Sequence, residues 1–166
     1  LVLDNIEDKN ARARAVDEMP QSADGKTIMT TQPKFVPSDA VRVKFRDNLA
    51  VNMRMIDCVG YLVDGAIGHR EGDKQRLVRT PWFEQEIPFE KAAEIGTEKV
   101  IKEHSTIGIL VTTDGSITEL QRSVYIPAEE RVVKELKEIG KPFAIVLNSK
   151  NPENADTVKL RDALEE

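Results

Sequence analysis

Hydrophobic and polar positions divide the chain into segments of different period. Residues 9–18, running through Asn10-Ala11-Arg12-Ala13-Arg14-Ala15-Val16-Asp17, use good helix formers, and Pro20 closes the segment. The polar stretch Gln21-Ser22-Ala23-Asp24-Gly25-Lys26 leads into Thr27-Ile28-Met29-Thr30-Thr31, which Pro33 and Pro37 mark as irregular or edge structure. Val41-Arg42-Val43-Lys44-Phe45 alternates apolar and polar residues, the pattern of a half-exposed strand. Asp47-Asn48 is turn chemistry, and Val51-Asn52-Met53-Arg54-Met55-Ile56 alternates again and ends at Asp57. Together these two runs predict an antiparallel hairpin.

Residues 60–88 lack a period and hold Gly60, Gly65, Gly68, Gly72, Pro81 and Pro88. A connection of that length is usually functional or disordered, and Trp82 and Phe83 predict that part of it folds back onto the body. From Phe89 a helical period returns, with Phe89, Ala93, Gly96, Val100 and His104 on one face. The apolar runs Ile107-Gly108-Ile109-Leu110-Val111-Thr112 and Phe143-Ala144-Ile145-Val146-Leu147 predict strands buried on both faces. Between them Pro127 opens a helix whose core face is Val132, Val133, Leu136 and Ile139, and Gly140 with Pro142 stops it. A last helix carries Leu160 and Leu164, with Asp156 as its expected cap. Buried strands alternating with helices predict an α/β fold: a mostly parallel sheet, an antiparallel edge hairpin and helices on both faces.

Composition narrows the function. The chain has 166 residues, enough for one α/β domain. Its net charge of -5 argues against nucleic acid as a partner, since that role needs a basic patch. The single cysteine, Cys58, excludes a disulfide framework and zinc-ligand spacing, and fits a reducing, cytoplasmic compartment. No apolar run reaches the length of a membrane span.

Three motifs carry candidate chemistry. Asp57-Cys58-Val59-Gly60 leaves an apolar strand at the carboxyl edge of the sheet, where open α/β folds bind ligands. There Asp57 could hold Mg2+, and the Gly60 N–H could approach a γ-phosphate with no side chain in the way. Thr30 and Thr31 offer hydroxyls to ligate the metal or sense the γ-phosphate. Asn148-Ser149-Lys150-Asn151 follows the last buried strand, where an Asn can pin a nucleotide-base loop and a Lys stem can cover a base. Taken singly, each motif also reads as ordinary turn or strand sequence. Their order along one sheet edge joins them. The phosphate-cradling G-x-x-x-x-G-K-[ST] is absent from these residues. In this architecture it precedes the first helix, and the chain reads as beginning inside or after that helix. His69 and His104 read as structural or surface histidines, Asp114-Gly115 as a turn, Cys58 as a small buried apolar residue, and the run from Glu129 to Glu138 as a solvated helix face.

Several of these stretches resemble the stage IV sporulation protein A family. They are Ala11-Arg12-Ala13-Arg14-Ala15, Pro20-Gln21-Ser22-Ala23, Gly25-Lys26-Thr27-Ile28-Met29-Thr30-Thr31 and Pro33-Lys34-Phe35-Val36-Pro37. Val59-Gly60-Tyr61, Thr80-Pro81-Trp82, Ala92-Ala93-Glu94-Ile95-Gly96-Thr97, His104-Ser105-Thr106-Ile107-Gly108, Thr112-Thr113-Asp114-Gly115 and Gly140-Lys141-Pro142-Phe143 continue the likeness over nearly the whole chain.

The resemblance implies a P-loop NTPase-like fold related to translation-factor GTPases. It implies an ATPase of the spore coat basement layer, in the mother-cell cytoplasm at the forespore outer surface. ATP hydrolysis would drive self-assembly into filaments, a small amphipathic membrane peptide would recruit the protein, and a coat-linking protein would bind on top. Residues 1–166 would then be a partial ATPase domain, its first strand and phosphate loop upstream and further domains downstream, and inactive alone. By position, Asp57 matches the family's Walker B aspartate, and Thr30 and Thr31 match its nucleotide-sensing threonines. Asn148-Ser149-Lys150-Asn151 sits where the related GTPases carry N-K-x-D, with Ser149 in the Lys position and Asn151 in the Asp position. A neutral amide at Asn151 should lose guanine selectivity, in keeping with ATP and Mg2+ as cofactors. The alternatives are a nucleotide-independent scaffold subunit and a GTPase-type switch.

Overall fold

The computed structural model describes residues 3–18, 33–46 and 48–165. A 3-10 turn at Leu3–Asn5 leads into helix α1, Lys9–Asp17, whose first turn is capped by Asp8 accepting from the Ala11 N–H at 2.8 Å. Ala11 and Ala15 lie one turn apart and bury against Ile6 and Val43. Strand β1, Lys34–Arg46, pairs antiparallel with β2, Leu49–Asp57, bringing Val43 opposite Val51 and Lys34 opposite Asp57. The expected hairpin is present, and β1 begins earlier than its alternating core, running through Pro37. The ladder breaks between Val36 and Val41, so residues 37–40 bulge out against β2. Glu18 at the end of α1 accepts from the N–H and hydroxyl of Ser38, and Arg54 of β2 donates to the Ser38 carbonyl, so the bulge is held from both sides.

The long connection contains local structure rather than one open loop. Strands β3 (Arg70–Glu71) and β4 (Lys74–Gln75) pair with each other, and so do β5 (Leu77–Val78) and β6 (Ile87–Pro88). Trp82 folds back, its ring 5.9 Å from the Lys99 ammonium, whereas Phe83 remains exposed. Helix α2, Phe89–Lys99, buries Phe89, Ala92, Ala93, Gly96 and Thr97, then widens into a π turn over Val100–His104. A π turn advances fewer degrees per residue than an α-helix. Val100 and Ile101 therefore stay inward while His104, expected on the buried face, is exposed with its ring edge-on to Phe35. Lys141 caps this end by donating to the carbonyls of Ile101 and Ser105, placing a cation on the negative pole of the helix.

Strands β7 (Gly108–Thr113) and β8 (Phe143–Asn148) run parallel in continuous register, from Gly108 opposite Phe143 to Thr113 opposite Asn148. The crossover between them is helix α3, Ile126–Glu138. Its Leu136 is 2% exposed and packs at Gly108, where a Cβ would stand 3.0 Å from the leucine side chain. The helix closes with Gly140 N–H on the Lys137 carbonyl and Lys141 N–H on the Leu136 carbonyl, the pairing of a Schellman cap. Ile139 lies beyond the last helical residue and is exposed rather than part of the core face. Helix α4, Ala155–Leu164, is capped by Asn154, which accepts from the Asp156 N–H at 2.9 Å, so the expected cap residue sits inside the first turn.

Three further expectations are corrected. The hairpin does not join the parallel pair: each strand has one partner among the described residues, giving four two-stranded sheets and a mixed α/β chain. The strands β7 and β8 are not buried on both faces. Leu110, Ile145 and Leu147 are half-buried on one side, while Ile109 (60% exposed), Val111 (64%) and Val146 (48%) face outward. Apolar runs of this kind report strands that can be covered twice, and here α3 covers one side. Glu129 is not on a solvated face: it is 8% exposed, accepts from the Thr112 hydroxyl, and pairs bidentately with Arg122 at 2.7 and 2.5 Å. It stands two helical turns before Leu136, on the same stripe.

Two outcomes follow for the protein. Leu136→Ala should lower the stability of the β7–β8 pair by about 3 kcal/mol, read as lost hydrogen-exchange protection of the β7 and β8 amides. Glu129→Ala should strip Arg122 of its partner and destabilise by about 2–4 kcal/mol, read as a lower thermal midpoint for this domain.

Candidate functional site

The sequence nominates residues at the ends of β2 and β8. Asp57 is the last residue of β2, and its side chain is exposed. The chain then turns through Cys58 and Val59 to Gly60, whose φ of +80° is a conformation that L side chains rarely adopt, with open space where a Cβ would stand. Cys58 is half-buried beside Thr97 of α2, and burial pushes its thiol up, so it stays protonated and serves packing.

Immediately after Gly60 the chain is anchored. Tyr61 donates its hydroxyl to Glu135 of α3 at 2.6 Å, and the Arg131 guanidinium lies 3.7 Å from the centre of its ring. Arg131 also pairs with Glu135 at 3.2 Å and with Glu94 of α2 at 2.7 Å. Burial and the acceptor carboxylate of Glu135 both hold the Tyr61 phenol above its ordinary range, so it remains a donor. This four-residue contact was not legible in the sequence, because its members lie up to 74 positions apart.

At the other end, Asn148 closes β8 opposite Thr113, and Ser149, Lys150 and Asn151 form the following turn. The turn is organised by Asp114, the residue after β7. Its Oδ1 accepts from the N–H of Ser116 at 2.9 Å and the hydroxyl of Ser116 at 2.5 Å. Its Oδ2 accepts from the hydroxyls of Ser149 at 2.5 Å and Thr157 at 3.1 Å. Burial acts to raise this carboxyl, but the hydrogen bonds from Ser116, Ser149 and Thr157 outweigh it and hold the group well below the usual carboxylate range. The Asp114-Gly115 pair is therefore a turn, as its sequence suggests, and also the acceptor that ties three segments together. A D-G dipeptide directly after an apolar strand was the signal that could have drawn attention to it.

Thr30 and Thr31 lie outside the described residues. Among the described residues no hydrogen bond or ion pair joins Asp57 or Gly60 to Asn148, Ser149 or Lys150, and no cluster of three or more His, Cys, Asp or Glu side chains is placed to hold a metal. A single exposed carboxylate fits Mg2+, which keeps several waters and takes one or two carboxylates together with phosphate oxygens. His69 and His104 belong to neither end.

Comparison with known proteins places the chain in a family. Residues 1–166 match the family model described as "Stage IV sporulation protein A, ATPase domain". Over 166 residues the chain is 57% identical to the stage IV sporulation protein A of Clostridioides difficile (strain 630). The corresponding figures are 57% for the protein of Bacillus subtilis (strain 168) and 56% for that of Bacillus anthracis. Each match covers 100% of this chain and 34% of the relative, so the chain spans about a third of the length of these proteins. No solved structure matches. No helix among the described residues is long and apolar enough to cross a membrane. The chain belongs to the stage IV sporulation protein A family, over the part that the family model describes as its ATPase domain.

Proposed function

We propose that this chain supplies the metal-holding and phosphate-sensing part of an ATP hydrolase that powers assembly of the spore coat. The observation that carries the reading is the end of β2, where exposed Asp57 is followed by Gly60 with open space where a Cβ would stand. Asp57 would hold Mg2+, which would supply charge neutralisation at the phosphates, and the Gly60 N–H, which here donates to the Cys58 sulfur, would turn to the γ-phosphate. Thr30 and Thr31 add hydroxyls to the metal and the γ-phosphate, a role that rests on their family match. Asn148, Ser149 and Lys150 hold the base. With Asn151 in place of an acidic residue, nothing there rewards the guanine edge over adenine.

Loss of the γ-phosphate releases Gly60, and the adjoining Tyr61 contact carries that change to α3 and α2. In the full-length protein this drives self-assembly into filaments at the forespore outer surface, on the mother-cell side. A small amphipathic membrane peptide recruits it and a coat-linking protein binds it. Support for this wider role comes from the family resemblance.

In the full-length protein Asp57→Ala should lower ATP turnover by about a hundredfold or more, followed as phosphate release. Unchanged turnover removes the metal role from Asp57. Thr31→Ala should reduce turnover, polymerisation or both, scored by phosphate release and sedimentation. Normal values in both assays rule out a sensing role for that hydroxyl.

A further inference from the structure

Two consecutive backbone N–H groups of the turn after β8 are oriented by hydroxyls rather than by other backbone. The Lys150 N–H donates to the Ser116 hydroxyl oxygen at 3.0 Å, and the Asn151 N–H donates to the Ser149 hydroxyl oxygen at 3.0 Å. Each serine has one hydroxyl proton, and both protons go to Asp114. Each oxygen is therefore left free to accept, and each accepts from the turn. A third hydroxyl, from Thr157 in the first turns of α4, reaches the same carboxylate. One carboxylate, accepting only, thus fixes the direction of the hydroxyls that hold residues 149–151.

We propose that Asp114 is a positioning residue for nucleotide-base recognition, acting through Ser149 and Ser116 to fix the backbone of residues 149–151. The inference rests on the reading that these residues face the base. In the related N-K-x-D pattern a lysine stands where this chain has Ser149. Ser149 is half-buried and its hydroxyl donates to Asp114, so its contribution is to the shape of the turn. The base is then held by the pre-set backbone and by the side chains of Asn148 and Lys150, which requires the turn to be rigid before the nucleotide arrives. The ionised state of Asp114, favoured by its hydrogen bonds, keeps that geometry intact through the neutral pH range.

Asp114→Asn replaces one acceptor oxygen by a donor. Whichever way the amide turns, it loses the contacts of one oxygen, either the Ser116 pair or the Ser149 and Thr157 pair. Ser149→Ala removes the same bridge from the other side. The test uses the full-length protein as wild type, Asp114→Asn, Ser149→Ala and the double variant, with KM and kcat measured for ATP and for GTP. Each single variant should raise KM for ATP about tenfold and change kcat less than about threefold, the range expected for losing a hydrogen bond to a charged group. The ATP-over-GTP ratio of kcat/KM should fall in both. The double variant should fall short of the roughly hundredfold sum of the two, because Ser116 and Ser149 fix one backbone segment through one carboxylate.

An unmoved KM and nucleotide ratio in both single variants overturns the proposal. So does a loss confined to kcat, or a fully additive, roughly hundredfold effect in the double variant. Absence of ATP turnover in the wild-type protein overturns the ATPase reading and this inference with it, whereas wild-type turnover with unmoved variants overturns the inference alone. Should Asp114→Asn fail to fold, Ser149→Ala reads the same bridge from a loop position, and its KM and nucleotide ratio decide the matter.

Discussion

The contact of Leu136 with Gly108 is the constraint on which the second half of the chain depends. A parallel pair of strands cannot be closed by a tight turn and needs a crossover that packs back on the sheet. Here the crossover is α3, and it approaches β7 closely because Gly108 has no side chain to hold it off. That approach brings the leucine side chain beside the start of β7, where Phe143 at the start of β8 also lies close to Gly108. The register that follows pairs Thr113 with Asn148, and one residue further on each strand are Asp114 and Ser149. The hydrogen bond between those two side chains is thus a consequence of packing at the opposite end of the strands.

Helix α3 also links the two ends of the candidate site. Glu129 and Leu136 lie two turns apart on one stripe and face β7, the glutamate reaching Thr112 and Arg122 and the leucine reaching Gly108. Arg131 and Glu135, one turn apart on another face, receive Tyr61 just after Gly60 and reach Glu94 of α2. A shift of the Gly60 segment would therefore press on the same helix that sets the β7–β8 register. Coupling of this kind runs through a packed element with contacts on two sides and needs no further relay.

Much of the element list was legible from the chain. The alternation at residues 41–45 and 51–56, the helix formers of residues 9–18, the period from Phe89 and the proline at the start of α3 all have local physical causes, and those elements are present. What misled was mostly local sequence standing in for neighbours. The apolar runs of β7 and β8 suggested cover on both faces, yet Ile109, Val111 and Val146 are exposed. The charged run at Glu129 suggested solvent, although its place on the Leu136 stripe was itself visible. The period through His104 was broken by a π turn, which leaves no mark in an apolar pattern.

The sequence by itself determined the family, the identity of the candidate chemical groups and their order. Motifs such as Asp57 to Gly60 and Asn148 to Asn151 are contiguous, and their chemistry is written in the side chains present. Only the tertiary structure decided which groups act together. Tyr61 with Glu135, and Asp114 with Ser149 and Thr157, join positions 74, 35 and 43 residues apart. A hydrogen bond acts over about 3 Å, so its partners are chosen by how strands register and helices pack, and no local pattern carries that information.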